Sequence, residues 1–336
     1  MKAAVHVGAG RIELRDWPAP APGPGEILLR LRGCGLCGSD IAKLTPGAAG
    51  PPAVLGHEVV GDVVEAGAGV AGFGAGQRVV VAHHVPCFQC HYCRRGSASM
   101  CRTFKRVNLD PGGFAELVRV PAPNVVHAAF ALAPEMSDEV ASFTEPLACC
   151  LRAVARARLG AGDTALVVGL GSVGCLMAQA AETVGARVLG FDLVDARRRH
   201  ARGFGTEAPD DETGLDQAVA AATDGRGADV VLLTAGGASA LAWAERRVRD
   251  GGAIHCFAGG DGDALPLPLD RLYRRELTVT ATYSSSPADL ALAFALLARG
   301  AVRVDGLITH RLPLGRLAEG VDLMRRREAV KVYVTP

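Results

Sequence analysis

The sequence predicts an α/β protein of two domains, an irregular β-rich one and a doubly wound parallel sheet. Three observations point there. The chain has 336 residues, more than one hydrophobic core usually serves. Its first third is rich in Gly and Pro, with short β-like runs between turn signals. From about Ser137 onward, strand-like and helix-like segments alternate, the pattern of βαβ units and a parallel sheet.

In order along the chain, residues 18–25 are a Pro/Gly connector, and 27–31, 59–65, 77–81 and 114–120 cluster or alternate branched residues as strands do. Residues 84–104 carry four cysteines and read as a projecting lobe. Residues 137–159 are helix-compatible, and Ala161-Gly162-Asp163 then turns into a strand at 164–168. Strand-like runs recur at 187–192, 229–234 and 253–257, with helical segments between, and another follows at 277–283. The helix-like 287–299 and the strand-like 330–334 return to the first domain. The expected division is 1–148 with 287–336 for the β-rich domain and 149–286 for the parallel sheet.

Hydrophobic content of 49%, 21% charged residues and a net charge of +1 are those of an ordinary globular protein. No basic stripe stands apart from acidic neighbours, so a nucleic-acid partner is not expected. The start of the chain has no charged leader with an apolar core and small-residue cleavage site. No stretch reaches the ~18 uninterrupted apolar residues of a membrane helix; the closest, 290–298, is bounded by Asp289 and Arg299. A cytoplasmic protein with no membrane partner is the expectation.

Cys87-x2-Cys90-x2-Cys93-x7-Cys101 is the densest chemical signal. In a chain without a secretion signal such thiols hold a metal rather than form disulfides. Four sulfurs complete a tetrahedral Zn²⁺ and leave no open position, so this site is structural. The other cysteines (Cys34, Cys149, Cys150, Cys175, Cys256) lie in apolar or Gly-rich contexts and read as small buried hydrophobes.

Gly169-Leu170-Gly171-Ser172-Val173-Gly174 fits the GxGxxG fingerprint, between an apolar strand and a helix-like segment. Glycines there let backbone approach a pyrophosphate, and the helix N-terminus supplies free N–H groups. Asp192 ends the next strand, 18 positions after Gly174. A carboxylate there binds the adenosine 2′-hydroxyl and repels a 2′-phosphate, which favours NAD over NADP. Arg197, Arg198 and Arg199 are the countersignal; they read first as exposed helix positions, with Arg197 kept among the cofactor-binding candidates.

A second metal set is scattered: Cys37 offers a thiolate, His57 an imidazole, and either Glu58 or Glu145 a carboxylate. Three protein ligands with a fourth position open is the pattern of catalytic zinc.

Across its full length the chain resembles the zinc-dependent medium-chain alcohol dehydrogenases, and within them the sorbitol or L-iditol 2-dehydrogenase-like branch. The resemblance is carried by Cys37-Gly38-Ser39-Asp40, Gly56-His57-Glu58, the four-cysteine lobe, Gly112-Gly113-Phe114-Ala115-Glu116, Glu145-Pro146-Leu147-Ala148, the glycine fingerprint and Thr223-Asp224-Gly225-Arg226-Gly227-Ala228-Asp229. It implies a GroES-like catalytic domain and a Rossmann NAD-binding domain, two zinc ions per subunit, and a homo-oligomer, tetramer or dimer. The implied reaction moves a hydride between a polyol-like secondary alcohol and NAD, giving a ketone, with a cyclitol or amino-sugar substrate as the alternative. Cys37 and His57 match the catalytic zinc ligands, Glu58 the exchangeable acidic ligand and Glu145 the acid of the polyol-type site. Ser39 matches the hydroxyl that passes the alcohol proton outward, and Lys331 a basic residue near the pyrophosphate. Two features depart from the pattern: Ala42 stands where many relatives carry a relay histidine, and the loop 45–53 is short and built of Gly, Ala and Pro. His83 and His84 precede the lobe as either cleft-lining or ordinary core and surface histidines.

Overall fold

The computed structural model describes residues 1–45, 50–259 and 267–336. The chain divides into two compact units, Met1–Glu145 with Ser285–Pro336, and Pro146–Ser284.

In the first unit, the long strand Ile27–Leu36 lies between Val332–Thr335 and Glu58–Ala66, antiparallel to both. His310–Pro313 extends this sheet on one side, Arg78–Val81 and Ala129–Ala131 on the other, and Leu117–Val120 also pairs with Ile27–Leu36. Register shifts beside Leu29 and Gly33 break the regular alternation between Ile27–Leu36 and Glu58–Ala66; such bulges re-aim side chains near sites. A smaller sheet joins Arg11–Asp16, Lys2–Gly8 and Ala53–Val54. Leu29, Leu31, Val59, Val63, Val118 and Phe114 form part of one buried core. Burying a branched side chain of this kind contributes about 1.5–3 kcal/mol, the driving force for a sheet this irregular.

The second unit is a five-stranded parallel sheet in the order Arg187–Phe191, Thr164–Val168, Ala228–Leu233, Val248–Cys256, Thr278–Ala281. Helices Ser172–Glu182, Glu212–Thr223 and Ala238–Glu245 connect its strands. Leu166, Leu189, Val231, Leu233 and Ile254 pack in its core at 3% exposure or less. Strands with both faces covered read as continuous apolar runs, as Thr164–Val168 does.

The segment expected as one helix over 137–159 is two, Asp138–Ser142 and Thr144–Arg156. Pro146 lacks the N–H that a continuous helix would donate to the Ser142 carbonyl, so the first helix ends there and Pro146 sits in the first turn of the second. Of the loop 45–53, expected to shape the substrate entrance, residues 46–49 lie outside the described residues. Among the described residues no helix is long and apolar enough to cross a membrane.

Candidate active site

Three of the donors named above converge in the first unit. Cys37 precedes the helix Gly38–Lys43 in extended conformation, and His57 and Glu58 enter the strand Glu58–Ala66. Their ligand atoms all lie within 4.8 Å of one another. Thiolate, imidazole and carboxylate in one cluster fit zinc with a coordination position to spare. Of the two acids left open by the sequence, Glu58 is the one in this cluster. Glu145, 8% exposed in the first turn of Thr144–Arg156, lies outside it but near enough for its charge to push the Glu58 carboxyl upward. Ser39 is exposed in the first turn of Gly38–Lys43.

Asp40 organises the cluster. Its carboxylate is 1% exposed. Oδ2 accepts the Cys37 N–H at 3.1 Å and Oδ1 the Gly56 N–H at 3.1 Å. Oδ1 also lies 3.2 Å from His57 Nδ1, off the hydrogen-bond direction. One carboxylate thus ties together the two segments that carry the ligands, and orients the histidine for a metal on its other nitrogen. Burial works against the His57 imidazolium, but Asp40 and then Cys37 outweigh it and hold the pKa well above the ordinary range. A metal must displace that proton, so metal uptake here weakens as pH falls. The sequence reading gave Asp40 no role. Its position three after Cys37, the spacing of a helix-capping acid, was the available signal.

Lys331 was expected near a pyrophosphate. It is 4% exposed, with Nζ 2.7 Å from Glu58 Oε1 and 5.8 Å from the Phe143 ring centroid. A buried ammonium requires a buried counter-charge, and Glu58 supplies it. Burial raises the Glu58 pKa, while Lys331 and His57 pull it back. Opposite Glu58 in the sheet stands Gly35, where a Cβ would come within 1.8 Å of Glu58 Oε2. Lys331→Met, which leaves the carboxylate buried without its partner, is expected to destabilise by about 3–5 kcal/mol in denaturant unfolding. The double variant Glu58→Gln/Lys331→Met is expected to recover most of that loss; no recovery would mean the lysine acts through packing alone.

The lobe brings its four sulfurs within 4.8 Å of one another. Cys90 and Cys93 are 3.5 Å apart, Cys87 and Cys93 4.0 Å. Sulfurs at about 2.3 Å from a tetrahedral ion stand about 3.8 Å from each other, so the set fits zinc. Desolvation and the neighbouring sulfurs push Cys93 up to about 12. Burial opposes the Cys101 thiolate, but the amides of Cys87 and Phe104 donate to it and bring it down to about 6.

In the second unit the glycine loop follows Thr164–Val168, and each glycine has its reason. Gly169 has φ +91°, and a Cβ there would meet Ala235 Cβ at 2.6 Å. A Cβ on Gly174 would strike the Gly169 carbonyl at 1.8 Å, which is the close helix–strand packing. Around Gly171, the N-cap of Ser172–Glu182, the nearest such atom is Arg197 Nη1 at 4.0 Å. That open cradle at a helix N-terminus, with Ser172 and Val173 in its first turn, fits a pyrophosphate. Thr234, another residue the sequence reading passed over, clamps the loop by donating to the Val168 and Gly169 carbonyls at 3.0 and 2.8 Å. Asp192, 8% exposed, accepts the Leu170 and Val194 N–H groups at 2.8 Å each. Each oxygen keeps acceptor capacity for a ribose hydroxyl. Arg197 Nη1 lies 3.7 Å from Asp192, whereas Arg198 turns inward to the Asp192 carbonyl at 2.6 Å.

Comparison with known proteins agrees with this geometry. Residues 23–130 match the family profile described as alcohol dehydrogenase GroES-like domain, and residues 172–299 that of zinc-binding dehydrogenase. A sorbitol dehydrogenase of Halalkalibacterium halodurans is 32% identical, over 100% of this chain and 99% of its own length. Among solved structures, alcohol dehydrogenase TADH from Thermus sp. ATN1 superposes with a TM-score of 0.87 at 31% identity, covering 100% of this chain and 99% of that one. A Sinorhizobium meliloti 1021 protein solved bound to NADP gives a TM-score of 0.87 at 30% identity, with the same coverage. With its GroES-like and Rossmann-like halves, its paired donor clusters and its full-length relatives, the chain belongs to the zinc-dependent alcohol dehydrogenases, oxidoreductases of the medium-chain family.

Proposed function

We propose that this chain oxidises a polyol-like secondary alcohol to a ketone with NAD, using zinc held by Cys37, His57 and Glu58. The observation that carries the reading is the convergence of three unlike donors, one position short of a closed tetrahedron, in a chain that also has a dinucleotide loop. When bound, zinc supplies Lewis acidity toward the alcohol oxygen and NAD supplies the hydride acceptor.

The chain's own groups do the rest. Asp40 holds His57 in orientation, and Lys331 neutralises Glu58 so that its carboxylate can stay ionised while buried. Glu145, beside Glu58, is the second acid of the site. Ser39, exposed next to Cys37, takes the alcohol proton and passes it to solvent, since Ala42 offers no relay. Gly169, Gly171, Gly174 and the amides of Ser172 and Val173 receive the pyrophosphate, and Asp192 the adenosine ribose. Cys87, Cys90, Cys93 and Cys101 hold a second, structural zinc that takes no part in turnover. The same reading places the enzyme in the cytoplasm as a homo-oligomer, tetramer or dimer. Thr278–Ala281, the edge strand of the five-stranded sheet, and exposed Tyr273 and Tyr283 beside it support such an assembly.

Turnover of purified zinc-loaded protein with NAD⁺ against polyols, cyclitols and simple secondary alcohols tests the reading. Ketone and NADH in equal amounts are expected with polyols; inertness toward every secondary alcohol would contradict it. NAD should be preferred to NADP, and Asp192→Ala should cut that preference by about tenfold or more, because the 2′-phosphate then meets Arg197 without the opposing carboxylate. An unchanged cofactor ratio in Asp192→Ala would remove Asp192 from the discrimination.

A further inference from the structure

The four-cysteine lobe differs in charge from the rest of the chain. Between Glu65 and Asp110 there is no acidic residue, and the lobe within that stretch carries Arg94, Arg95, Arg102, Lys105 and Arg106. A basic surface apart from acidic neighbours was not expected from the sequence, because these cations are interspersed among cysteines and apolar residues instead of forming a run. All five are exposed, and among the described residues none has an ion pair or a side-chain hydrogen bond. Each stands within five positions of Cys93 or Cys101, whose sulfurs share one cluster, so the charges are gathered around one point.

The metal does not use them up. Four thiolates on Zn²⁺ carry a net charge of about −2, which leaves an excess of about three positive charges. Among the described residues no lobe sulfur accepts a hydrogen bond from any of the five side chains; backbone amides serve instead, as Cys87 N–H does to Cys101 Sγ at 3.4 Å.

Apolar side chains are exposed on the same lobe, and Phe88 is the telling one. Its backbone has φ +59°, the left-handed region where a bulky side chain is rare and costly and glycine is free. The chain nonetheless places a ring there, half in solvent, with its centroid 4.6 Å from that of His127. Tyr92 and Met100 are exposed as well, and Val126, next to His127, is 72% exposed. A strained position that holds an apolar ring outward points to a surface which that ring meets.

We propose that the zinc lobe docks on anionic lipid membrane, with its five cations against the headgroups and Phe88, Tyr92 and Met100 entering the layer between them. The expected lack of a membrane partner rested on the lack of a spanning segment; attachment of this kind lies on the surface and needs none. Cations alone would suit any polyanion. The exposed Met100 and Val126 decide, because single-stranded nucleic acid uses aromatic faces and phosphate contacts, not aliphatic tips. A second copy of the chain offers no free counter-surface in its acid-rich segment 207–216, whose Glu207, Asp210, Glu212 and Asp216 pair with Arg187, Arg202 and Arg247. Lipid attachment stands or falls independently of turnover.

The test is co-sedimentation of the full zinc-loaded chain with vesicles of phosphatidylcholine alone and of phosphatidylcholine with about one-third phosphatidylserine, at about 0.1 M salt. Wild type should sediment with the phosphatidylserine vesicles only, and less as salt is raised. Each cation at an anionic surface is worth about fivefold in affinity, so Arg94→Ala/Arg95→Ala should weaken binding by roughly 10- to 30-fold. Phe88→Gly should weaken it by about fivefold. Its unfolding midpoint should stay or rise, since glycine accepts φ +59° without strain. Zinc content should be equal in all three proteins. No sedimentation, equal sedimentation with phosphatidylcholine alone, or wild-type binding by either variant would overturn the assignment. So would tighter binding to oligothymidylate or to poly-L-glutamate than to the vesicles, which would give the lobe to nucleic acid or to an acidic protein. A lower midpoint in Phe88→Gly would overturn the role given to the ring and leave it as packing on His127.

Discussion

Replacing His57 by alanine is expected to lower kcat/KM by about 10⁴-fold or more, the scale of losing one member of a cooperating catalytic set. Dinucleotide binding should survive. The reason lies in how the functions are distributed: His57 belongs to the first unit and the glycine loop to the second, each with its own buried core. Removing the imidazole takes away one of three donors and leaves Asp40, 1% exposed, without the group it faces. Asp40→Asn, which loses the charge and has one acceptor oxygen for the two backbone N–H groups of Cys37 and Gly56, is expected to cost less than His57→Ala, about 10–100-fold in metal affinity or activity. Steady-state kinetics with a polyol, and NADH binding followed by fluorescence, measure the two effects separately. Turnover retained in His57→Ala would rule out this cluster as the centre of the reaction.

The second large effect is expected at the lobe. Cys101→Ser should abolish its zinc and loosen residues 84–104 while the Cys37–His57–Glu58 set keeps its own metal. The lobe's regular structure is one short helix, His91–Arg94, and a single turn at Ala98–Met100. Cys101 and Phe104 are each 1% exposed, but Phe88, Tyr92 and Met100 are 50%, 48% and 37% exposed. So little buried surface cannot hold such a segment, and the free energy of metal binding must do so. Limited proteolysis should cut the variant within the lobe, and its unfolding midpoint should fall by several degrees. A lobe that resists protease equally in wild type and Cys101→Ser would mean that the four sulfurs are not its fastener.

What could be read in the sequence follows how local each determinant is. The strand Thr164–Val168 and the glycine loop are encoded within a dozen consecutive residues, as is the four-cysteine lobe. The ligands Cys37 and His57 were recognisable because each stands in a short motif of its own. Their assembly is another matter: strand pairing at Gly35↔Glu58 brings the Glu58 segment alongside the one that ends at Cys37. The Lys331–Glu58 pair spans 273 positions, and no local pattern marks a lysine just before the terminal strand Val332–Thr335 as buried. The break at Phe143 was legible in principle from Pro146. The hairpin Lys2–Gly8 with Arg11–Asp16 turns at Ala9 and Gly10, both with positive φ, and Ala9 is not a residue that announces such a turn. Asp40 and Thr234 owe their roles to neighbours that only the fold supplies.

The most direct measurement is the zinc content of purified, exhaustively dialysed protein. Wild type should hold two zinc ions per chain, with one remaining in His57→Ala and one in Cys101→Ser. A single zinc in wild type, kept by His57→Ala and lost from Cys101→Ser, would show that only the lobe binds metal and would contradict the open catalytic site.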